Sequence, residues 1–221
     1  MSASSIAEQP TGPLAGVRIV DLTTIILGPY ATQMLGDMGA NIIKIEAPSS
    51  GDLMRHMGPV RNAGMSGIHL NINRNKRILV LDLKQQPAKD VLCRLIKTTD
   101  VFFHNMRPQA ITKLGFDYAG VAAEKFDIIY CGAYGYGADG PYAARPAYDD
   151  LIQGITALAA LGAVGGNAPR YMPTVLSDKL VGLMASQAIL AALFHRSHSG
   201  EGQRWSHLYP ALYRRQLGRL L

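Results

Sequence analysis

The chain has 221 residues, of which 48% are hydrophobic and 17% charged. This balance is typical of a folded globular protein and excludes a disordered or collagen-like chain. The net charge of +6 comes mainly from the end of the chain, because no acidic residue follows Glu201. We therefore predict no nucleic-acid partner, which would need basic residues spread over one surface. The four arginines beyond Glu201 are Arg204, Arg214, Arg215 and Arg219.

The sequence shows no pattern typical of a membrane span, a secretion signal or a metal site. No apolar run reaches the roughly 18 to 20 residues that cross a bilayer, because the stretch Met184 to Phe194 is interrupted by Ser186 and Gln187 and ends at His195, so no membrane partner is expected. Residues 1–13 have neither a basic nor an apolar stretch, and we predict a disordered N-terminus and a cytoplasmic protein. The six histidines lack HxxxH spacing and the two cysteines lack a CxxC partner, so no metal ligands are predicted.

Short runs rich in valine and isoleucine alternate with helical patterns over the first 131 residues. The predicted strands cover residues 16–22, 41–46, 78–83, 100–104 and 127–131. The helical patterns cover residues 29–38, 87–97 and, in broken form, 108–124, each with proline at or near its start. This alternation predicts an α/β fold, a Rossmann-like, doubly wound and mostly parallel sheet with helices on both faces.

Two more helices are predicted after residue 132. The first covers about residues 149–161, and a glycine-containing loop, 162–169, follows it. The second covers about residues 179–195 and has apolar side chains nearly all round, so we expect it to be buried in the core. From Trp205 onward the chain is basic and has no acidic residue, and residues 205–221 are predicted to be an aberrant tail.

The position of Asp178 suits two different roles, one structural and one catalytic. It follows Ser177 where the long apolar helix begins, so Ser177 is expected to cap the helix while Asp178 meets the positive end of its dipole. The same place suits a carboxylate nucleophile, because backbone N–H groups at a helix start hold a carboxylate ionised and oriented. The spacing alone does not decide between these roles.

A series of short segments in one order, between about Leu14 and Arg204, carries a more specific signal. It includes residues 28–46, 73–77, 105–108 and 199–203. Together these segments resemble the family III CoA-transferases, the group that includes formyl-CoA transferase and carnitine CoA-transferase. The resemblance implies one Rossmann-like, CoA-binding domain over residues 14–204 that also carries the nucleophile.

The resemblance also implies roles for individual residues. The nucleophilic aspartate of the family corresponds to Asp178, which makes the catalytic interpretation the favoured one. A CoA thioester is the implied co-substrate, with no other cofactor. The residues that correspond to CoA contacts, or that lie beside the active site, are Leu81, Lys84, Asn105, Met106, Arg107, Lys113, Tyr148 and Asp149.

The chemistry implied for such a site is the transfer of CoA between two carboxylic acids. An aspartate with an ordinary pKa of about 4 is ionised at neutral pH and needs no general base to attack an acyl-CoA. Attack gives an aspartyl-acyl anhydride, which CoA thiolate converts into an aspartyl-CoA thioester. The expected partners are therefore an acyl-CoA and a carboxylic acid.

Two alternatives remain. The family contains α-methylacyl-CoA racemases, in which a histidine moves the α-proton, but the corresponding residue here is Tyr148. A tyrosine, with a pKa of about 10, is a poor proton acceptor at neutral pH, so a transferase is favoured. The other alternative is a truncated, non-catalytic CoA-binding module.

Three departures from the family pattern qualify the resemblance. Ile26 stands where formyl-CoA transferase has a glutamine, and Ala47 replaces a basic residue that contacts the nucleotide. Family members are considerably longer and form interlocked homodimers, and we expect a truncated chain in which their small domain is absent. A strand is expected after Arg204, but residues 205–221 do not resemble one.

Overall fold

The structure, a computed structural model, describes residues 11–137, 140–143, 145–164, 166 and 168–208. Its centre is a six-stranded sheet in the order β3-β2-β1-β4-β5-β6, and every neighbouring pair of these strands is parallel. This order is that of the Rossmann fold, so the predicted fold class is confirmed. The strands are β1 Arg18–Leu22, β2 Asn41–Glu46, β3 Lys76–Val80, β4 Val101–His104, β5 Ile129–Tyr134 and β6 Gln203–Leu208.

Eight α-helices and one short 3₁₀ helix, Leu53–His56, connect the strands in the described part of the chain. Proline occupies the first turn of α3 and α4, where its missing N–H removes no helical hydrogen bond. The helices are α1 Leu27–Asp37, α2 Gly67–Ile72, α3 Gln86–Ile96, α4 Pro108–Leu114, α5 Tyr118–Glu124, α6 Asp149–Ile155, α7 Leu158–Leu161 and α8 Leu176–Ser199.

Two hydrophobic layers cover the two faces of the sheet. Phe103 of β4 packs into the layer that contains α1 and α8, whereas its neighbour Phe102 packs into the layer that contains α3 and α5. Successive side chains of a strand point to opposite faces, and here both faces are buried. The strand therefore reads as a continuous apolar run, which is typical of a parallel sheet covered by helices on both sides.

Two predicted helical regions are divided in the structure. The region 108–124 separates into α4 and α5 at Gly115, whose φ of 87° ends α4 in the left-handed conformation. The helix predicted over 149–161 separates into α6 and α7 at Ala157, which has a φ of 59°. Alanine gives no sequence signal for a left-handed residue, so this second break was not predicted.

Helix α8 differs from its prediction in two ways. It begins at Leu176 rather than near residue 179, and only one side of it is buried. Val181 and Ile189 lie in the core, whereas Phe194 is 70% exposed, so the prediction of burial all round was wrong. Among the described helices α8 alone is long and apolar enough to cross a membrane, and its buried side packs in the core layer of the sheet.

Helices α1 and α8 lie in direct backbone contact at Gly182. A Cβ atom at this position would lie 2.7 Å from the carbonyl oxygen of Leu27 and 3.0 Å from the ring of Tyr30. Any larger residue would therefore force the two helices apart. The contact joins the first turn of α1 to the second turn of α8, one turn after Asp178.

The structure tests the prediction made for the end of the chain after Arg204. The strand expected after Arg204 is present, because β6 continues to Leu208 and pairs with β5 along its whole length. The prediction that an aberrant tail starts at Trp205 is therefore wrong, since Trp205 lies within β6 and packs against the core. Residues 209–221 of that tail, and residues 1–10 of the predicted disordered N-terminus, lie outside the described residues.

Candidate functional site

Two adjoining cavities lie beyond the carboxyl ends of the strands, where β1 and β4 diverge into their following helices. Ligands of doubly wound sheets bind at this position. The inner cavity, of about 420 Å³, is the one lined by Asp178. The outer cavity, of about 890 Å³, lies on the side of β2 and α3. Thr24, Met106 and Ala110 line both, so the two cavities meet.

All nine residues predicted for the site line one of these two cavities. The inner cavity contains Asp178, Asn105, Arg107, Tyr148 and Asp149. The outer cavity contains Leu81, Lys84 and Lys113. Met106 lines both. The structure therefore brings together residues that are up to 97 positions apart in the chain, from Leu81 to Asp178.

Asp178 lies in the first turn of α8 and is 7% exposed. Its backbone N–H donates a 2.9 Å hydrogen bond to Oδ1 of Asp149, which therefore caps α8 from a different helix. Ser177 was predicted to be the cap, and this prediction was wrong. The N-cap position is held by Val175, and the buried hydroxyl of Ser177 has no hydrogen-bond partner among the described residues.

Gln153 is a residue that the sequence analysis missed. It is one turn after Asp149 on α6 and is almost completely buried. Its side-chain amide nitrogen donates a 2.6 Å hydrogen bond to Oδ2 of Asp149. Its amide oxygen accepts a 2.8 Å hydrogen bond from the backbone N–H of Met172. The four-residue spacing between a carboxylate and an amide on one helix was the only signal in the sequence.

The loop between β1 and α1, residues 23–26, forms one wall of the inner cavity. The side chain of Asn105 binds both backbone groups of Thr24: it accepts from the N–H at 3.0 Å and donates to the carbonyl at 2.9 Å. The N–H of Ile25 donates to Asp52 at 3.1 Å. Ile25 has a φ of 73°, a conformation that a β-branched residue adopts only when its surroundings impose it. Hydrogen bonds from distant side chains therefore hold this wall in place.

Buried charges lie directly behind this loop. Lys44 and Asp52 form a 2.9 Å ion pair in which both side chains are fully buried, and Lys44 also donates to the carbonyl of Thr23 at 2.6 Å. Lys76 forms a second buried ion pair, with Asp21 at 3.3 Å. Burial lowers the pKa of Lys76 to about 8, against the attraction of Asp21. Burial alone would raise the pKa of Asp21, but the two lysines and two threonine hydroxyls outweigh it and lower that pKa.

His104 ends β4 directly before the Asn105–Arg107 segment. It is completely buried, and its Nε2 lies 2.8 Å from the hydroxyl of Tyr130. Burial lowers the pKa of His104 to about 4, while the backbone of Met106 acts in the opposite direction. The imidazole is therefore neutral at neutral pH and belongs to an aromatic cluster under the site. Neither cavity is lined by a histidine among the described residues.

The outer cavity combines apolar walls with three lysines and two acidic residues, Glu46 and Asp82, of which Glu46 is paired with Arg55. Leu22, Ile45 and Leu83 contribute to the walls. Lys84 and Lys113, both predicted, are joined by Lys89 of α3, which the sequence analysis did not single out. Such a lining suits a flat heterocycle that carries phosphate groups, because phosphates attract ammonium groups and rings pack on apolar side chains.

The inner cavity carries charges of both signs. Arg107 and Arg145 supply two guanidinium groups, and Asp149 and Asp178 supply two carboxylates. Arg145, which the sequence analysis missed, lies over the ring of Tyr142 at 4.7 Å. Within the described residues there is no group of three or more histidine, cysteine or acidic side chains that suits a metal ion.

Comparisons with known proteins identify the family of the chain. The sequence profile of CoA-transferase family III matches residues 14–207. Succinate–glutarate CoA-transferase of Agrobacterium fabrum is 36% identical over 197 residues, which are 86% of this chain and 49% of the relative. Acetyl-CoA:oxalate CoA-transferase of Acetobacter aceti is 35% identical over 196 residues, 88% of this chain and 50% of the relative. The chain thus spans about half the length of these relatives.

A solved structure shows the same fold. A CAIB/BAIF family protein from Brucella suis superimposes with a TM-score of 0.88 at 32% sequence identity. The superposition covers 94% of this chain and 56% of that protein. The profile match ends at residue 207, inside β6, in agreement with the strand that the structure shows there.

Proposed function

Because the chain belongs to CoA-transferase family III, we propose that its described residues form the CoA-binding and acyl-accepting part of an acyl-CoA:carboxylate CoA-transferase. One observation carries this proposal: the cavity with Asp178 opens into a second cavity lined by lysines. A CoA molecule with its nucleotide in the outer cavity would pass Met106 and bring its thioester to Asp178.

In the first half of the proposed reaction, the Asp178 carboxylate attacks the thioester carbonyl and expels CoA thiolate. The product is a mixed anhydride between Asp178 and the donor acid. The thiolate then attacks the aspartyl carbonyl, releases the donor as its carboxylate and leaves Asp178 as a CoA thioester. No proton is transferred in either step, so no histidine is required.

The second half runs in the opposite direction. The acceptor carboxylate attacks the Asp178 thioester, forming a new anhydride and releasing thiolate. The thiolate attacks the acceptor's acyl carbonyl, which yields the new acyl-CoA and restores the Asp178 carboxylate. One thioester replaces another, so no ATP is consumed. Both intermediates react with water, and the low exposure of Asp178 supports a protected site.

For the acid exchanged, a short dicarboxylic acid is the class that the inner cavity favours. Arg107 and Arg145 both line this cavity, and a guanidinium group binds a carboxylate through two parallel hydrogen bonds. One carboxyl group would react at Asp178 while the other is held by an arginine. The names of the two relatives above contain succinate, glutarate and oxalate, all of which are short dicarboxylates.

The racemase alternative has less support. A racemase needs groups that remove and return an α-proton, and a tyrosine, Tyr148, lines the inner cavity where the resemblance places the histidine. Tyr148 is also 61% exposed. The non-catalytic CoA-binding module shares the outer cavity with the transferase and differs from it only in the reactivity of Asp178, so experiment separates these two.

The test uses the 221-residue chain and three proteins: wild type, Asp178→Asn, and Asp150→Asn as a matched control. Asp150 adjoins Asp149 but lines neither cavity. Each is incubated with succinyl-CoA and then hydroxylamine, which converts an aspartyl anhydride or thioester into a hydroxamate that peptide mass spectrometry locates. We expect the label at position 178 in wild type and in Asp150→Asn, and a loss of about 10⁴-fold or more in Asp178→Asn.

Titration calorimetry with CoA completes the test. Asp178→Asn should bind CoA with a Kd within about threefold of wild type, since the nucleotide is held in the other cavity. CoA binding by wild type without any hydroxamate would support the non-catalytic module. A hydroxamate on another residue would remove Asp178 from the reaction.

A further inference from the structure

We infer that Gln153 is a positioning residue that holds Asp178 in its reactive orientation by acting through Asp149. This inference rests on the proposed function of Asp178 as the nucleophile. Gln153 is 2% exposed, so it acts from behind the cavity and does not touch the substrate. It connects α6 to the segment that leads into α8.

The partners of Gln153 settle which way its amide points. The N–H of Met172 is a donor, so the atom that faces it at 2.8 Å is the amide oxygen. The amide nitrogen faces two acceptors, Oδ2 of Asp149 at 2.6 Å and the carbonyl of Thr174 at 3.4 Å. A side chain with one acceptor and two donors matches this set of partners.

This arrangement leaves the two oxygens of Asp149 with different partners. Oδ2 is bound by Gln153, and Oδ1 accepts the backbone N–H of Asp178. If Oδ2 lost its donor, the Asp149 side chain would be free to rotate, and the first turn of α8 would lose its cap. In the proposed reaction Asp178 is a carboxylate, an anhydride and a thioester in turn, and its backbone must stay in one place through all three states.

A glutamate at position 153 would reverse the effect of the glutamine. It still accepts the N–H of Met172, but it presents a second carboxylate to Oδ2 of Asp149 and offers no donor. Two neighbouring carboxylates repel each other until they share one proton, which then restores a hydrogen bond between them. Gln153→Glu should therefore have a defect that weakens as the pH falls, whereas Gln153→Met should have a defect that does not change with pH.

The experiment compares wild type, Gln153→Glu, Gln153→Met and a matched control, Gln33→Glu, in the 221-residue chain. Gln33 is also buried and also donates to an aspartate one turn away, Asp37, but it lines neither cavity. The first measurement is the hydrogen-exchange protection factor of the Asp178 amide, by NMR on ¹⁵N-labelled protein. The second is the single-turnover rate at which succinyl-CoA labels Asp178.

At about pH 8 we expect both Gln153 variants to reduce the protection of the Asp178 amide about fivefold, which corresponds to one lost cap. The acylation rate should fall about tenfold or more, because a misplaced nucleophile loses its alignment, while the Kd for CoA stays unchanged. At about pH 5 Gln153→Glu should approach wild type and Gln153→Met should not. The other titratable side chains next to this network are Asp178, Lys179, which donates to Thr174, and Tyr171, whose hydroxyl lies beside Gly154.

Three results bear on the inference differently. If both Gln153 variants keep the wild-type protection of Asp178 and the wild-type acylation rate, the inference is wrong. If wild type is not acylated, the proposed function fails, but the amide protection still decides whether Gln153 holds the backbone of Asp178. General destabilisation would lower the protection of Ile189, deeper in α8, as much as that of Asp178, and such a result would also count against a positioning role.

Discussion

The inner and outer cavities lie at one edge of the same sheet, but their polar groups are held differently. In the inner cavity Asp149 and Asn105 are fixed by hydrogen bonds, and the loop beside them rests on buried ion pairs. In the outer cavity the ammonium groups of Lys84 and Lys113 form no ion pair or hydrogen bond within the described part of the chain. A reacting group needs a fixed position, whereas a cation that binds phosphate works over a range of positions.

This difference predicts that Lys44, buried behind the inner cavity, contributes far more to stability than Lys84, which lines the outer cavity. Lys44→Met should lower the free energy of unfolding by about 3–5 kcal/mol, because Asp52 would stay buried without its counter-ion. Lys84→Met should change it by less than about 0.5 kcal/mol, since surface substitutions seldom do more. Urea unfolding followed by circular dichroism measures both. Equal effects of the two variants would show that the cavities are not built differently.

A pH experiment examines His104, which is buried directly before the Asn105–Arg107 segment. The pKa of His104 is lowered to about 4 in the folded protein and is about 6.5 in an unfolded chain, so the unfolded state binds a proton first as the pH falls. Stability from this group is therefore present at pH 7 and is lost on going below about pH 6.5. Between pH 7 and pH 5 the loss should be about 2 kcal/mol.

His104→Phe should remove this part of the acid sensitivity. The measurement is the free energy of unfolding in urea at both pH values, for wild type and variant, and the quantity of interest is the difference between their pH dependences. Subtraction cancels groups that both proteins share, such as Asp21. If wild type and variant lost the same stability on acidification, His104 would not be the group responsible.

The smallest effect is expected for ligand binding at the outer cavity. Lys84→Gln should raise the Kd for CoA about three- to tenfold, because one exposed cation next to a phosphate contributes about 1 kcal/mol. The effect should shrink as salt is added. Lys97→Gln serves as the control, since Lys97 is an exposed lysine that lines neither cavity. Titration calorimetry at low and high salt gives both values, and equal Kd changes for the two variants would count against a CoA site in the outer cavity.

The sheet was largely predictable because its strands are short apolar runs between turns. β2 was predicted residue for residue, at Asn41–Glu46. β3 was predicted two residues late, since it begins with Lys76 and Arg77, which do not look like strand residues. Lys76 is nevertheless buried, paired with Asp21 on β1. Such a pairing depends on tertiary structure, and the local sequence carries no trace of it.

The site was predictable to a different extent. Asp178 stood out at the start of a helix, and the resemblance to a family, not the spacing, supplied Asn105, Met106 and the lysines. The cap of α8 was assigned to Ser177 because capping residues are normally adjacent in sequence, yet Asp149 supplies it from 29 positions away. The loop conformation at Ile25 was missed for a similar reason, since its causes lie in Asp52 and Asn105.

The close approach of α1 and α8 at Gly182 bears on redesign of this protein. Asp178 and Leu27 both line the inner cavity, and they lie on α8 and α1, whose close packing at Gly182 fixes the distance between the two helices. Leu53 and Tyr136, which also line the inner cavity, are outside this pair of helices. An engineer who wishes to admit longer or shorter acids can therefore vary these two side chains and leave the bond-making distance as it is.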